Sequence, residues 1–207
     1  MEVIKEVKSR PMLYSGPMVR AILDGKKTKT RRIASLHLPW NDTYPMSWAW
    51  SDRKQLFEPV GSVSPWGVKC PYGFVGDRLW VRETWQSLAA MNQCHPSDDQ
   101  YVYRATDPDW GSMEGWKWRQ SIFMPRAACR INLRIESINV ERLQAITDEE
   151  IVCEGFRGIG EGVGELDGKF STLRGLFSGL WNKINGPGSW EANPFVWVVG
   201  FSVVPNE

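Results

Sequence analysis

The densest group of chemically active side chains is a basic segment at residues 26–32, with the sequence KKTKTRR. Five of its seven residues are lysine or arginine, and the other two are threonines. Lysine and arginine bind phosphate and carboxylate groups, whereas a threonine hydroxyl becomes a nucleophile only beside a base that takes its proton. The segment therefore predicts either a basic loop that binds an anion or a site for nucleophilic chemistry.

Glu83 is a carboxylate on the apolar face of a predicted strand, residues 78–85. Because alternate residues of a strand point to the same side, Glu83 shares its face with three hydrophobic residues, Leu79, Val81 and Trp85. A buried carboxylate needs a cationic or hydrogen-bonding partner, and the basic segment is the expected source of one. Two roles stay open for Glu83: orienting the basic segment at a site, or forming a structural ion pair.

Glu154 is a second carboxylate in an unfavourable position. A capping box, Thr147 followed three residues later by Glu150, predicts a short helix at residues 148–154 that ends before Gly155. Glu154 falls in the last turn of this helix, where the helix dipole disfavours a negative charge by about 0.3–1 kcal/mol. The position of Glu154 therefore needs a structural or functional reason.

Composition and charge are those of an ordinary globular protein. The chain has 207 residues, of which 42% are hydrophobic and 24% are charged, and these fractions argue against disorder. Its 25 basic and 24 acidic residues give a net charge of +1. A general electrostatic attraction to nucleic acid is therefore not indicated, although a local basic patch is compatible with this balance. The length fits one domain over residues 1–207.

Several kinds of site and location are disfavoured by the residues present. The four cysteines and two histidines match no metal-binding spacing, so we expect no metal and no other cofactor. Two histidines also make a Ser-His-Asp hydrolase a poor fit. No apolar run approaches the roughly 18 residues of a membrane helix, and the polar first residues are not those of a signal peptide. We therefore expect a cytoplasmic protein with reduced thiols and no membrane partner.

The elements that must position these side chains form a mixed pattern. Helices are predicted at residues 17–24, 148–154 and 171–184. Strands are predicted at residues 78–85, 101–104, 129–138 and 195–204. In residues 129–138, apolar and polar side chains alternate strictly, which is typical of a half-exposed antiparallel strand. This order favours a small mixed or antiparallel β-barrel with helices outside it.

Two long segments, residues 35–75 and 86–127, are predicted to be loop-rich insertions, because prolines, glycines and tryptophans interrupt them. The glycine-rich residues 157–169 are predicted to form a further loop, since their spacing is not that of a dinucleotide-binding turn. The chain has twelve tryptophans. Most of these are expected to pack in the protein, and some could stack on a nucleic-acid base.

Three motifs in order resemble the ASCH family of the PUA-like superfamily. Residues 22–31, ILDGKKTKTR, are similar to the signature I-L-x-G-x-K-T-x-T-x-R of that family. Residues 76–83, GDRLWVRE, are similar to its G-D-x-L-x-V strand, and residues 143–156, LQAITDEEIVCEGF, are similar to its acidic helix. The tryptophan-rich style of the chain resembles the ASCH proteins that bacteriophages and prophages carry.

This resemblance implies an α+β fold, a PUA-like mixed β-barrel with peripheral helices, to which residues 35–75 and 86–127 are additions. It also implies a cleft that faces RNA or a modified nucleoside. One branch of the family hydrolyses the amide of N4-acetylcytidine. Carried over residue by residue, that branch implies Lys27 as base, Thr30 as nucleophile and Glu154 as supporting acid or base. An RNA-binding module without catalysis and an ASCH-type ribonuclease stay open as alternatives.

Lys27 can act as a base only if its pKa falls from about 10.4 towards neutrality. The neighbouring cations of the basic segment favour that change, whereas a nearby Glu154 carboxylate opposes it, and the sequence leaves the outcome open. Lys27 and Thr30 are three residues apart, so they share a face in a helical turn but point to opposite faces in a strand.

Residues that would bind the ligand are also predicted. Phosphate contacts are predicted for the basic residues Lys26, Arg31, Arg32, Arg126 and Arg130. Base stacking is predicted for Trp85, with Trp50, Trp66 and Trp116 as alternatives. A long RNA would lose affinity steeply with salt, whereas a neutral nucleoside would not.

Overall fold

The fold is described here from a computed structural model for residues 6–34, 48–51, 56–59, 67–88, 101–157, 161–162 and 172–205. It is a mixed α+β fold in which a sheet forms most of the core. This confirms the α+β class. None of the helices in these ranges is long and apolar enough to cross a membrane.

The strands are, in chain order, β1 (Ser9–Leu13), β2 (Lys29–Ile33), β3 (Trp48–Ser51), β4 (Leu56–Pro59), β5 (Arg78–Arg82), β6 (Trp85–Ser87), β7 (Tyr101–Tyr103), β8 (Asn132–Arg142), β9 (Phe156–Arg157), β10 (Glu161–Gly162) and β11 (Phe195–Val204). The helices are α1 (Gly16–Leu23), α2 (Asp148–Cys153) and α3 (Leu173–Asn185). The predicted helices at 17–24, 148–154 and 171–184 and the strand at 195–204 are therefore confirmed, with ends shifted by at most two residues.

The main sheet has five strands in the order β1-β5-β8-β11-β2. β1 pairs with β5 in parallel, and the other neighbours are antiparallel. β8 and β11 are the long central strands, and β11 is buried along most of its length, as a nearly continuous apolar run in mid-sheet should be. The centre of the sheet is thus built from the middle and the late part of the chain.

The sheet is open within the described ranges, because its edge strands β1 and β2 do not pair with each other. The expected closed barrel is therefore wrong for this part of the chain. Helix α1 connects the two edge strands and contributes Val19 and Ile22 to the core. The two edge strands are connected by a side-chain hydrogen bond and not by backbone pairing. Arg32 Nη2 on β2 donates to the Leu13 carbonyl oxygen on β1 at 2.8 Å.

Local sequence explains where the helices begin and end. Pro17 lies in the first turn of α1, and Gly25 follows its end with φ of 67°, a conformation that glycine adopts without strain. The capping box of α2 is present, with the Thr147 hydroxyl accepting from Glu150 N at 3.3 Å. Leu176, Phe177 and Trp181 of α3 are buried, as the apolar stripe predicts. These helices cover the sheet and close the core.

Two sequence-based strand predictions need correction. The predicted strand at 78–85 is two strands, because β5 pairs with β1 and β8 whereas β6 leaves the main sheet and pairs with β7. Glu83 lies at this break. The predicted strand at 129–138 begins at Asn132 and continues to Arg142, since β11 offers a pairing partner over that whole length. Asn132, expected to face outward, is buried.

The two insertions contain short paired strands where they are described. β3 and β4 form an antiparallel pair inside residues 35–75, and β6 and β7 form another at the start of residues 86–127. The expectation of little regular structure in residues 35–75 is therefore wrong for the described part. β9 and β10 pair within the predicted glycine-rich loop; residues 158–160 and 163–169 of that loop lie outside the described ranges.

Asp77 fixes the turn that leads into β5. Its carboxylate accepts hydrogen bonds from Arg10 Nη1 at 2.9 Å and from the backbone N–H groups of Lys8 and Phe74, each at 3.1 Å. Burial alone would raise the pKa of Asp77, but these hydrogen bonds outweigh it, and the pKa lies below its ordinary value of 3.8. The ionised Asp77 carboxylate therefore stabilises the fold fully above about pH 3.8. This contribution is lost as the pH falls through the lowered pKa.

We expect Asp77→Asn to lower the free energy of unfolding by about 1–3 kcal/mol at pH 7, because an amide cannot accept all three bonds. The difference between the two proteins should shrink below about pH 3.8, where the wild-type carboxylate also becomes neutral. Urea unfolding at several pH values measures this. A difference that stays constant down to pH 3 would contradict the assignment.

Candidate functional site

β2 presents the basic segment to two different surroundings. Its residues pair with β11, with Thr30 opposite Val199 and Arg31 opposite Val198. Because side chains alternate along a strand, Lys29 and Arg31 point towards the acidic helix α2, whereas Thr30 and Arg32 point to the side that holds Tyr14. Residues 29–32 of the basic segment are therefore part of a strand with two chemically distinct faces, whereas residues 26–28 connect α1 to that strand.

Lys27 and Glu154 form a buried ion pair just before β2. The Lys27 side chain is 0% exposed and that of Glu154 is 6% exposed, and Nζ lies 2.7 Å from Glu154 Oε2. Nζ also donates to the Glu154 carbonyl oxygen at 2.9 Å and to the Lys29 carbonyl oxygen at 2.8 Å. A backbone bridge between Lys27 and Glu154 holds the two segments together. The sequence-predicted residues Lys27 and Glu154 are thus in direct contact.

The pKa of Lys27 is lowered. Burial is the largest cause, since it disfavours the charged ammonium; the nearby Glu154 carboxylate opposes this effect, and the cations Arg32 and Arg31 reinforce it. The lowering of the Lys27 pKa therefore comes from burial, since the neighbouring cations act in the same direction but less strongly than Glu154 opposes them. All three N–H groups of the ammonium are nevertheless engaged, so Lys27 must give a proton away before it can accept one.

Arg31 ties the acidic residues together. Its buried guanidinium lies 2.6 Å from Glu141, 2.7 Å from Glu150 and 3.4 Å from Glu154. Lys29 adds a contact of 3.0 Å to Glu150. The charge network, defined as Lys27, Lys29, Arg31, Glu141, Glu150 and Glu154, therefore contains three cations and three carboxylates. Lys27 and Arg31 also explain why Glu154 is tolerated at the end of α2, because these two cations offset the unfavourable interaction of its charge with the helix dipole.

Thr30 lies in a separate, buried position beside Tyr14. Its Oγ1 has no hydrogen-bond partner among the described residues, an arrangement that is uncommon for a buried hydroxyl. Tyr14 donates instead to Met12 Sδ at 3.0 Å. Burial raises the pKa of Tyr14, and the nearby Arg32 cation opposes that rise. The Lys27 Nζ lies 6.0 Å from the centre of the Tyr14 ring, so Tyr14 lies close to Lys27 as well as to Thr30.

A cleft of about 430 Å³ lies where the edge strands β1 and β2 approach each other. Its polar lining includes Tyr14, Arg31, Arg32 and Glu154, and its apolar wall comes from α3, with Phe177, Leu180, Trp181 and Ile184. The volume is in the range of small-molecule sites, about 300–1,000 Å³. Glu154 is the carboxylate of the charge network that lines the cleft, whereas Lys27 and Thr30 lie behind its surface.

Glu83 does not contact the basic segment, contrary to the expectation. Its buried carboxylate is bound by Arg130, at 2.9 Å from Nε and 3.0 Å from Nη2. Burial raises the pKa of Glu83, and Arg130 partly opposes it. Arg130 also lies 4.0 Å from the centre of the Tyr103 ring. This pair holds the break between β5 and β6, so Glu83 orients the start of an insertion, not the residues 26–32.

The remaining predicted binding residues are dispersed. Lys26 pairs with Asp24 at 2.7 Å, and Arg126 lies on the surface over the Trp80 ring. Trp85 is 4% exposed and packs against Tyr101, so its ring has no face available to a base in this structure. Trp116 is also buried, in a cluster with Trp110 and Trp118. Trp66 and the side chain of Trp50 lie outside what the structure describes.

Sequence reasoning missed two contributors to the site. Tyr14 has no motif around it and becomes significant only because β1 ends beside β2. Glu141 was part of no prediction, and its contact with Arg31 arises because β8 continues beyond residue 138. Arg130, which is predicted to contact phosphate, binds Glu83 instead. Each of these contacts joins distant segments, so local spacing carried no signal for them.

Comparison with protein-family models, with curated proteins and with solved structures gave no match to this chain. Within the described ranges, histidine, cysteine, aspartate and glutamate form no group of three that could hold a metal ion. The cleft surface offers a carboxylate, hydroxyl groups and two arginines, and Lys27 and Thr30 lie behind that surface.

Proposed function

We propose that the protein is an ASCH-type, PUA-like amide hydrolase that acts on an acylated cytidine such as N4-acetylcytidine. The observation that carries the proposal is the 2.7 Å contact between Lys27 and Glu154 at the base of the cleft. The family resemblance implies this pair for catalysis, although the two residues are far apart in the chain. The lowered pKa of Lys27 adds support, because it favours the neutral amine that a base requires.

In the proposed reaction, Lys27 first passes a proton to Glu154, and the resulting amine takes the proton of the Thr30 hydroxyl. Thr30 Oγ1 attacks the carbonyl carbon of the acetyl group. The bond from that carbon to N4 breaks, N4 takes from Lys27 the proton that came from Thr30, and cytidine leaves while an acetyl ester remains on Thr30. Water then hydrolyses the ester, releases acetate and restores the hydroxyl. Since Thr30 does not line the cleft, the reaction requires a rearrangement that brings Thr30 Oγ1 to the cleft surface.

The shape of the cleft also supports a nucleoside ligand. Phe177, Leu180 and Trp181 give one wall flat or apolar surfaces, which suit the faces of a base. The opposite side carries Glu154 and Arg31, which suit polar groups at a base edge. A volume of about 430 Å³ matches one nucleoside-sized ligand, not a long RNA segment.

The test is to incubate the purified protein with N4-acetylcytidine and follow cytidine by chromatography. We expect release by the wild type and none by Thr30→Ala, with intact protein mass after rapid quenching revealing an acetyl group on the wild type alone. Thr28→Ala is the matched control, because Thr28 is exposed and lies in the same segment. Cytidine release by Thr30→Ala at the wild-type rate would remove Thr30 as nucleophile, and no release by folded wild type would remove the substrate.

RNA binding without catalysis is the second candidate. The observation that favours it is the complete use of the Lys27 N–H groups, which is also what a structural ion pair requires. Arg126 and Arg82 lie over the Trp80 ring, and the nearby Phe123 is 70% exposed. Steeply salt-dependent binding of an RNA oligonucleotide, together with no cytidine release, would favour this function.

A further inference from the structure

Arg32 is the cation of the cleft that has no carboxylate partner among the described residues. Its guanidinium donates to two backbone carbonyl oxygens, of Leu13 at 2.8 Å and of Arg31 at 3.3 Å. It lies 5.4 Å from the centre of the Tyr14 ring. These contacts fix its orientation without neutralising its charge, and they use two of its five N–H groups.

The rest of the cleft does not compensate this charge. Glu154 is the acidic residue that lines the cleft, and its two oxygens already face Lys27 and Arg31. The charge network behind it holds equal numbers of cations and carboxylates. Among the described residues, the cleft lining therefore carries the net positive charge of Arg32 in a partly desolvated position, where a charge-assisted hydrogen bond is strong.

The start of helix α1 reinforces a preference for an anion. Ser15 lines the cleft at the start of α1, its side chain makes no capping hydrogen bond, and the first turn of α1 contains no acidic residue. The positive end of the α1 dipole is therefore uncompensated there.

We propose that Arg32 forms an anion subsite in the cleft and that the ligand is a phosphate-bearing mononucleotide, not a neutral nucleoside. The identity of the base rests on the proposed function; the charge preference does not. Arginine binds phosphate through two parallel N–H groups, and Arg32 has N–H groups left for this contact. The base lies against the apolar wall of α3, and the phosphate lies at the Arg32 and Ser15 side.

Calorimetric binding to the wild-type protein tests the charge preference without any chemical step. The probes are cytidine, cytidine 5′-monophosphate, cytidine 3′-monophosphate, adenosine 5′-monophosphate and a short oligonucleotide that contains cytidine. We expect at least one cytidine monophosphate to bind about tenfold or more tightly than cytidine, as one charge-assisted bond requires. Equal affinities for cytidine and both monophosphates would overturn the proposal.

Variants assign the effect to Arg32. Arg32→Gln should reduce the affinity for the monophosphate to that for cytidine, and Arg32→Lys should restore part of the difference. Arg134→Gln is the matched control, because Arg134 is exposed on β8 and does not line the cleft. Circular dichroism checks that each variant is folded. A tenfold preference that survives Arg32→Gln would overturn the assignment.

The other probes separate the possible outcomes. If the oligonucleotide binds more tightly than the monophosphates and Arg32→Gln does not change this, the mononucleotide is the wrong ligand. If adenosine monophosphate binds as tightly as the cytidine forms, the anion subsite stands while the cytidine specificity of the proposed function fails. Hydrolysis of N4-acetylcytidine, measured separately, then decides that function by itself.

Discussion

Replacing Lys27 by methionine is expected to lower the free energy of unfolding by about 3–5 kcal/mol, the usual cost of removing one partner of a buried ion pair. The variant leaves the Glu154 carboxylate without its 2.7 Å contact and leaves two backbone carbonyl oxygens without their donor. Arg31, at 3.4 Å from Glu154, compensates only in part. Denaturant unfolding with an unchanged m-value measures the loss.

The double variant Lys27→Met/Glu154→Gln should recover much of this stability, because it removes the uncompensated charge together with its partner. Lys26→Met is the matched control. Lys26 is the adjacent residue, its side chain is 39% exposed, and it pairs with the exposed Asp24, so a change below about 0.5 kcal/mol is expected. A double variant no more stable than Lys27→Met would contradict a coupled pair.

The largest expected effect on activity comes from Glu154→Gln. We expect kcat/KM for N4-acetylcytidine to fall by about 10²–10⁴-fold, the usual contribution of a general acid or base. Glutamine has nearly the same shape but cannot take the proton of Lys27. Initial rates with both proteins at a temperature where both are folded provide the measurement.

Glu141→Gln separates this effect from a general loss of the charge network. Glu141 also contacts Arg31, at 2.6 Å, but it is not part of the cleft lining. We expect Glu141→Gln to lose stability and to keep its activity within a few fold. If the two variants lose activity equally, Glu154 acts by holding Arg31 in place and not as an acid or base.

Two residues of the charge network could be singled out from the sequence. Glu154 was unusual because of its place in the last turn of a helix, and the family resemblance marked Lys27 within a dense basic segment. The structure gives one reason for both, since each compensates the other. Helix α2 could be predicted in the same way, because its capping box is a local signal that needs no tertiary contact.

Other features depend on which strands become neighbours, and spacing does not carry this information. The partner of Glu83 is Arg130 because β5 and the start of β8 run side by side, not because Arg130 is the nearest cation in the sequence. The division of residues 78–85 into two strands has the same origin, since β6 pairs with β7 and not with a strand of the main sheet. The open sheet arises because β1 pairs with β5 and leaves its other edge towards β2.

The order of strands in the main sheet decides when the cleft can form during protein synthesis. β2 is made early, but its backbone partner is β11, which is made after most of the chain. Glu154, which holds Lys27, also comes more than a hundred residues later. Pairings between such distant segments are opposed by loop-closure entropy and form slowly. The basic segment therefore leaves the ribosome unpaired. Its positive charge is compensated once the acidic residues of β8 and α2 have been made, whereas its backbone stays without its strand partner until β11 has been made.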